Sequence, residues 1–184
     1  ATDKLTKYFN AENGITATIT VTETNFSSDN TKVTVKKDNV GTEISADNLG
    51  WTTDTSNPDV HTATYHITEE GAYELKVEST DKAKNNSTVT ESLVVDKTDP
   101  VISVSYTPEK SNEENGVKYF KEKGGTTATI TIIDTNFTSD NTTVTVNGNT
   151  VDKNDVNWTD WEKDTSKTNV YTAKYKFSEE GAYE

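Results

Sequence analysis

One seven-residue stretch occurs twice in this chain: Thr68-Glu-Glu-Gly-Ala-Tyr-Glu74 returns as Ser178-Glu-Glu-Gly-Ala-Tyr-Glu184. Each copy follows a run with apolar residues at alternate positions, Ala63, Tyr65 and Ile67 in the first and Ala173, Tyr175 and Phe177 in the second. A period of two is the mark of a β-strand with one buried face. The repeat extends far beyond the corner. Tyr8-Phe9 recurs as Tyr119-Phe120, and Thr16-Ala-Thr-Ile-Thr-Val21 recurs as Thr127-Ala-Thr-Ile-Thr-Ile132, both 111 positions on. Internal repetition at this spacing means one structural unit built twice, and the alternation inside it makes that unit all-β.

In chain order, Ala17, Ile19 and Val21 share one strand face and threonines the other. This strand runs into Glu23-Thr-Asn-Phe26, repeated as Asp134-Thr-Asn-Phe137, a polar turn whose phenylalanine is placed to plug the end of the unit. A third strand follows at Lys32-Val-Thr-Val35 and Thr143-Val-Thr-Val146. The middle of the repeat aligns in two ways. Matching Leu49-Gly-Trp-Thr52 to Val156-Asn-Trp-Thr159 pairs Trp51 with Trp158 and leaves Trp161 over; anchoring on Asp54-Thr-Ser56 and Asp164-Thr-Ser166 pairs Trp51 with Trp161. The agreement of the residues around the tryptophan favours the first. Strands then run from Val60 to Ile67 and from Val170 to Phe177, leading to the corner.

After the first corner, Tyr73, Leu75 and Val77 point inward, Thr80 to Asn86 turns, and Val89 to Val95 returns. Asp96-Lys-Thr-Asp-Pro100 is a short hinge, stiffened by a proline that fixes its own φ and extends its neighbour. Val101 to Tyr106 reads as the opening strand of the second unit. The expected organisation is domain 1 over 1–96, a linker over 97–100 and domain 2 over 101–184. In this register domain 1 lacks its opening edge strand, and domain 2 lacks most of the strand after its corner and the one following. Because that post-corner strand is central to its sheet, the second unit is expected to be an excerpt or to be completed by strands from elsewhere.

Composition narrows function by exclusion. Hydrophobic residues are 30%, against roughly 45–50% in an average globular chain, and threonine is abundant, which suits thin, half-buried strands. The net charge is -13 and all 18 basic residues are lysines, so the chain repels phosphate backbones and lacks arginine's bidentate fork; no nucleic-acid partner is expected. With no cysteine, disulfides, thiol nucleophiles and cysteine-held zinc are excluded. No run of about 18 apolar residues occurs, so no membrane insertion is expected.

A strand, a corner and a tyrosine opening the next strand form the immunoglobulin-fold signature, in which the tyrosine hydroxyl bonds back to nearby backbone. Together with the hinge and strand Asp96-Lys-Thr-Asp-Pro-Val-Ile102, the Thr-Ala-Thr-Ile-Thr strand, the Gly-Ala-Tyr-Glu-Leu corner and the Thr80-Asp-Lys-Ala-Lys-Asn85 turn, the chain resembles tandem bacterial immunoglobulin-like domains of large surface proteins. The resemblance covers nearly the whole chain. It implies two tandem immunoglobulin-like β-sandwiches, an extracellular place on a bacterial cell surface or cell wall, and a non-catalytic role as stalk or spacer of an adhesin, with neighbouring repeats as partners. The alternative is an adhesin module that itself recognises a host glycan, matrix protein or immunoglobulin. One residue departs from the family pattern: Lys84 stands where the family's turn often has glycine.

Three constellations are candidates for chemistry. His61 and His66 are five apart on one strand, so they face opposite ways and cannot share an acid-base or metal site; both read as solvent-facing. In a sandwich of this kind the turns and the incoming linker meet at one pole. That gathers Glu23, Asn25, Asp29, Asp81 and Asn85 for the first unit, and Asp96, Asp99, Asp134, Asn136 and Asp140 for the second. Such oxygen-only sets suit Ca²⁺, and the same residue types are what turns require, so both readings stand. Trp161, in the polar stretch Asp160-Trp-Glu-Lys163, is a candidate flat face for a sugar ring or partner protein, the alternative being packing on its own domain edge.

Overall fold

The computed structural model describes residues 6–44 and 49–184. The chain is all-β and divides into two compact units, Ala1–Lys97 and Thr98–Glu184, with the division inside the proline hinge.

The first unit has two sheets. One has the order β1 (Lys7–Phe9), β8 (Asn86–Val95), β7 (Gly71–Thr80), β3 (Thr31–Lys37), β4 (Val40–Ile44); the other is β2 (Ile15–Thr22), β6 (Val60–Ile67), β5 (Thr52–Thr53). The alternation of the sequence sends one face of each strand into a shared core. Ile19, Ala63 and Ile67 come from the smaller sheet, and Val33, Val35, Tyr73, Leu75, Leu93 and Val95 from the larger, with Val33 and Val95 almost fully enclosed. The result is sandwich-like, each sheet supplying the apolar surface that the other covers. Lys7–Phe9, which the repeat register left outside any strand, pairs in parallel with β8 from Lys7↔Leu93 to Phe9↔Val95. Phe9 packs on the core, and its carbonyl accepts the Asp96 amide at 3.0 Å.

The second unit repeats part of this. β15 (Trp158–Lys163), β16 (Val170–Phe177), β12 (Thr126–Ile133) and β9 (Val101–Thr107) form one sheet in that order. Two short hairpins accompany it, β10 (Asn112–Glu114) with β11 (Val117–Tyr119) and β13 (Thr145–Val146) with β14 (Asn149–Thr150). Residues 178–184 form no strand, and the third repeat strand shrinks from seven residues in β3 to two in β13. Val144 and Val146 are accordingly half-buried, whereas their counterparts Val33 and Val35 are enclosed between β7 and β4. The buried apolar side chains of this unit are Ala128, Ile132, Val170 and Ala173.

Three hairpins turn through two residues of positive φ: Asp38-Asn39, Asn115-Gly116 and Asn147-Gly148. Two successive positive φ values match the twist of the flanking strands, and Asn, Asp and Gly tolerate them. The corner that organises the repeat is built alike in both units. The Tyr73 hydroxyl donates to the Glu69 carbonyl at 3.0 Å, and the Tyr183 hydroxyl donates to the Glu179 carbonyl at 3.0 Å. Burial raises the Tyr73 pKa. Over the first corner an exposed ion pair, Lys37 to Glu69 at 2.6 Å, closes the turn against β3.

Candidate functional site

The turn after β2 is shaped by a repeated local device. Glu23 Oε1 accepts the Asn25 amide at 3.0 Å and Asp134 Oδ1 accepts the Asn136 amide at 2.7 Å, the side chain capping the turn two residues on. A single turn of 3₁₀ helix follows in each unit, Ser28–Asn30 and Ser139–Asn141, and carries Asp29 and Asp140 exposed on its outer side. These turns aim a phenylalanine back at the sheet. In the first unit Phe26 stacks on His61 at 4.3 Å and tilts against Trp51 at 4.8 Å; in the second Phe137 stacks on Tyr171 at 4.4 Å and meets Trp161 edge-on at 5.1 Å.

This settles the alignment against the match favoured by flanking sequence. Thr52 pairs with Thr62 and Thr53 with His61, just as Glu162 pairs with Thr172 and Lys163 with Tyr171, so Trp51 corresponds to Trp161. Trp158 is the additional residue, made possible by a register shift between Thr159 and Glu162. Flanking letters misled because a bulge preserves neither spacing nor face. Trp161 is half-buried between Phe137 and Trp158, whose ring lies 6.1 Å away. Trp51 packs against the core with its indole N–H buried and without a hydrogen-bond partner.

His61 also differs from its expected solvent-facing place. It is half-buried under Phe26, its Nε2 donates to the Glu23 carbonyl at 3.2 Å, and its Nδ1 accepts from the Thr53 hydroxyl at 3.0 Å. Because a carbonyl only accepts, the proton sits on Nε2. The ring does the work that Tyr171 does in the second unit. His66 is exposed and bonded to Thr16 at 3.1 Å.

The proposed Ca²⁺ ligands are spread over local turns. Among the described residues, no three Asp, Glu or His side chains converge in a way that could hold an ion. Asp81 is engaged within its own turn, accepting the Asn85 backbone amide at 2.8 Å and the Asn85 side-chain amide at 2.7 Å. Those bonds, the side-chain one foremost, hold its carboxyl below the usual range. The repeated pair Asp54 and Asp164 is lowered in the same way, first by the hydroxyls of Ser56 and Ser166. Asp96 is half-buried beside β1, and Asp99 is exposed in the hinge. Lys97 anchors that hinge to the first unit, its ammonium donating to the carbonyls of Thr68 at 2.7 Å and Glu12 at 2.9 Å.

The turn from β7 to β8 keeps a tight form although Lys84 replaces the expected glycine. Lys84 adopts φ +72°, its amide donates to the Asp81 carbonyl at 3.1 Å, and the Asp81 amide donates to the Asn85 carbonyl at 2.9 Å. A side chain in this left-handed region costs about 1–2 kcal/mol, offset in part by the greater freedom of an unfolded glycine. Lys84→Gly is therefore expected to stabilise the first unit by about 0.5–1 kcal/mol, read as a higher urea midpoint. A lower midpoint would mean the lysine stem itself holds the turn.

One depression of about 310 Å³ lies in the second unit, floored by Ile102, Ile132 and Phe137 and rimmed by Asp134 and Asn136. Its lining is mixed, with Thr138, Asn141, Thr142 and Thr143 beside the apolar floor and Asp134 the one carboxylate. No protein-family model matches the chain, and no curated protein matches it.

Proposed function

We propose that the chain is a pair of immunoglobulin-like repeats from a bacterial surface protein, non-catalytic, serving as a stalk or spacer that holds a binding head away from the cell. The observation that carries this reading is the doubled tyrosine corner, with Tyr73 bonded to the Glu69 carbonyl and Tyr183 to the Glu179 carbonyl, each at 3.0 Å. The paired sheets of the first unit support it too, since the post-corner strand β7 lies between β3 and β8 while β2 pairs with β6 in the other sheet. Strands of eight residues rise about 26 Å, so each unit adds a few tens of ångströms of reach. The net charge of -13 keeps such an array soluble. Fold alone never names a function, so the reading stands on a direct test.

Immobilised full-length chain is exposed to host glycans, matrix proteins and immunoglobulins, in calcium and in chelator, beside an acidic protein of equal charge. The spacer reading predicts no retention above that control and the same melting temperature in both buffers. Saturable retention of one component would make the chain an adhesin module in its own right. A calcium-dependent rise in melting temperature would assign an ion to the turn carboxylates.

A further inference from the structure

The Glu-Glu doublet of the first corner does more than frame the tyrosine. Its first member, Glu69, pairs with Lys37 and lends its carbonyl to the Tyr73 hydroxyl. Its second, Glu70, accepts on Oε1 the main-chain amide of Lys97, 27 residues further along the chain. At the same place the Lys97 ammonium donates to the carbonyls of Thr68 at 2.7 Å and Glu12 at 2.9 Å, and the Asp96 amide donates to the Phe9 carbonyl at 3.0 Å. Lys97 is half-buried there, whereas Thr98, Asp99 and Pro100 are exposed.

The partners of Lys97 lie on two crossings between the sheets of the first unit. Glu12 follows β1 of the larger sheet and precedes β2 of the smaller; Thr68 and Glu70 follow β6 of the smaller and precede β7 of the larger. The chain is thus tied to both sheets at the point where it leaves β8. Without those ties a pull on the hinge falls on the end of β8, where Val95 lies opposite Gly71, and the antiparallel β7–β8 ladder opens from that end one pair at a time. With them, the pull reaches main-chain carbonyls that cannot follow Lys97 outward unless the strands on either side move too. The ammonium makes these bonds charge-assisted and therefore stronger than neutral ones.

We propose that Lys97 and Glu70 form a load-bearing latch, which passes tension arriving through the hinge into both sheets of the first unit instead of onto the end of β8. The proposal rests on the reading of the chain as a stalk, since a tethered spacer is what carries tension along its length. The latch acts by direction. Its bonds resist a pull at residue 98 and are bypassed by a pull that enters the unit elsewhere.

The test uses the full chain, which has no cysteine of its own, held by its N terminus and by one introduced cysteine, with the unfolding lifetime of the first unit read at constant force. At Asp99→Cys the load enters through the latch; at Lys82→Cys, in the exposed turn between β7 and β8, it bypasses the latch. Lys97→Met and Glu70→Ala are each expected to shorten the lifetime about tenfold on the first path and less than about twofold on the second, since the lost bonds lower the barrier where they carry the load. Glu70→Gln keeps an accepting oxygen and is expected to stay within about threefold of wild type on both paths. An unchanged lifetime on the first path, an equal loss on both paths, or a Gln variant as weak as the Ala variant would overturn the latch. The lifetimes are blind to ligands, so failure here leaves the spacer reading to its retention test, and failure there leaves these lifetimes as they are.

Discussion

Alanine in place of Gly14 is expected to destabilise the first unit by about 3 kcal/mol or more. Gly14 has φ +81°, and a Cβ there would lie 2.3 Å from the Ile67 carbonyl oxygen and 2.9 Å from the Thr68 Cα. Both obstacles are backbone at the end of β6, where Ile15 pairs with Ile67, so relief requires moving the strand pair apart. The second unit repeats the arrangement: Gly125 has φ +81°, and its Cβ would lie 2.2 Å from the Phe177 carbonyl oxygen. Gly50 provides the control, having φ +63° with nothing within 4 Å of the added atom. Gly50→Ala should show the conformational cost alone, about 1–2 kcal/mol. Urea unfolding followed by exchange of β2 and β6 amides measures both. Equal losses at Gly14 and Gly50 would show that the strand end yields without cost.

Leu75→Ala is expected to cost about 2–5 kcal/mol, a large share of the roughly 5–15 kcal/mol that holds a domain of this size together. Leu75 is 7% exposed, pairs with Val35 on one side and Glu91 on the other, and belongs to the core that includes Val33, Val95 and Ile19. Its neighbours are strands hydrogen-bonded along both edges, so they cannot collapse into the cavity left by the lost methyl groups. Val89→Ala on β8 is the matched control: Val89 is 56% exposed, and its loss should fall within about 0.5 kcal/mol. A Leu75→Ala chain that unfolds at the wild-type urea concentration would mean the first unit's core is not closed around β7.

Much of the fold was readable in the letters. The strands expected at 60–67 and 170–177 have those bounds, and the expected strand at 16–21 widens by one residue at each end in β2. Alternation is local, so it survives without knowledge of partners. The hairpin turns at Asn115-Gly116 and Asn147-Gly148 are legible in the same way, since Asn-Gly is a strong short-range hairpin signal. The site was less legible. The phenylalanine plug was expected and its stacking partner was not: the repeat offset makes His61 and Tyr171 equivalent in sequence, but only the folded turn sets each beneath its phenylalanine. Of the carboxylates grouped at one pole by sequence order, Glu23, Asp81 and Asp134 bond within their own turns, since a short acidic side chain reaches an amide two to four residues away sooner than a distant loop.

From its sequence alone, this chain is a duplicated all-β protein, polar and acidic, with the inward face of each main strand decided by alternation. Tertiary structure alone decided that Trp51 answers to Trp161, that Lys7–Phe9 runs parallel to β8, and that β9 pairs along the outer edge of β12. The reason is the range of the interaction: alternation records whether a face is buried, while register, bulges and edge pairing depend on residues far apart in the chain.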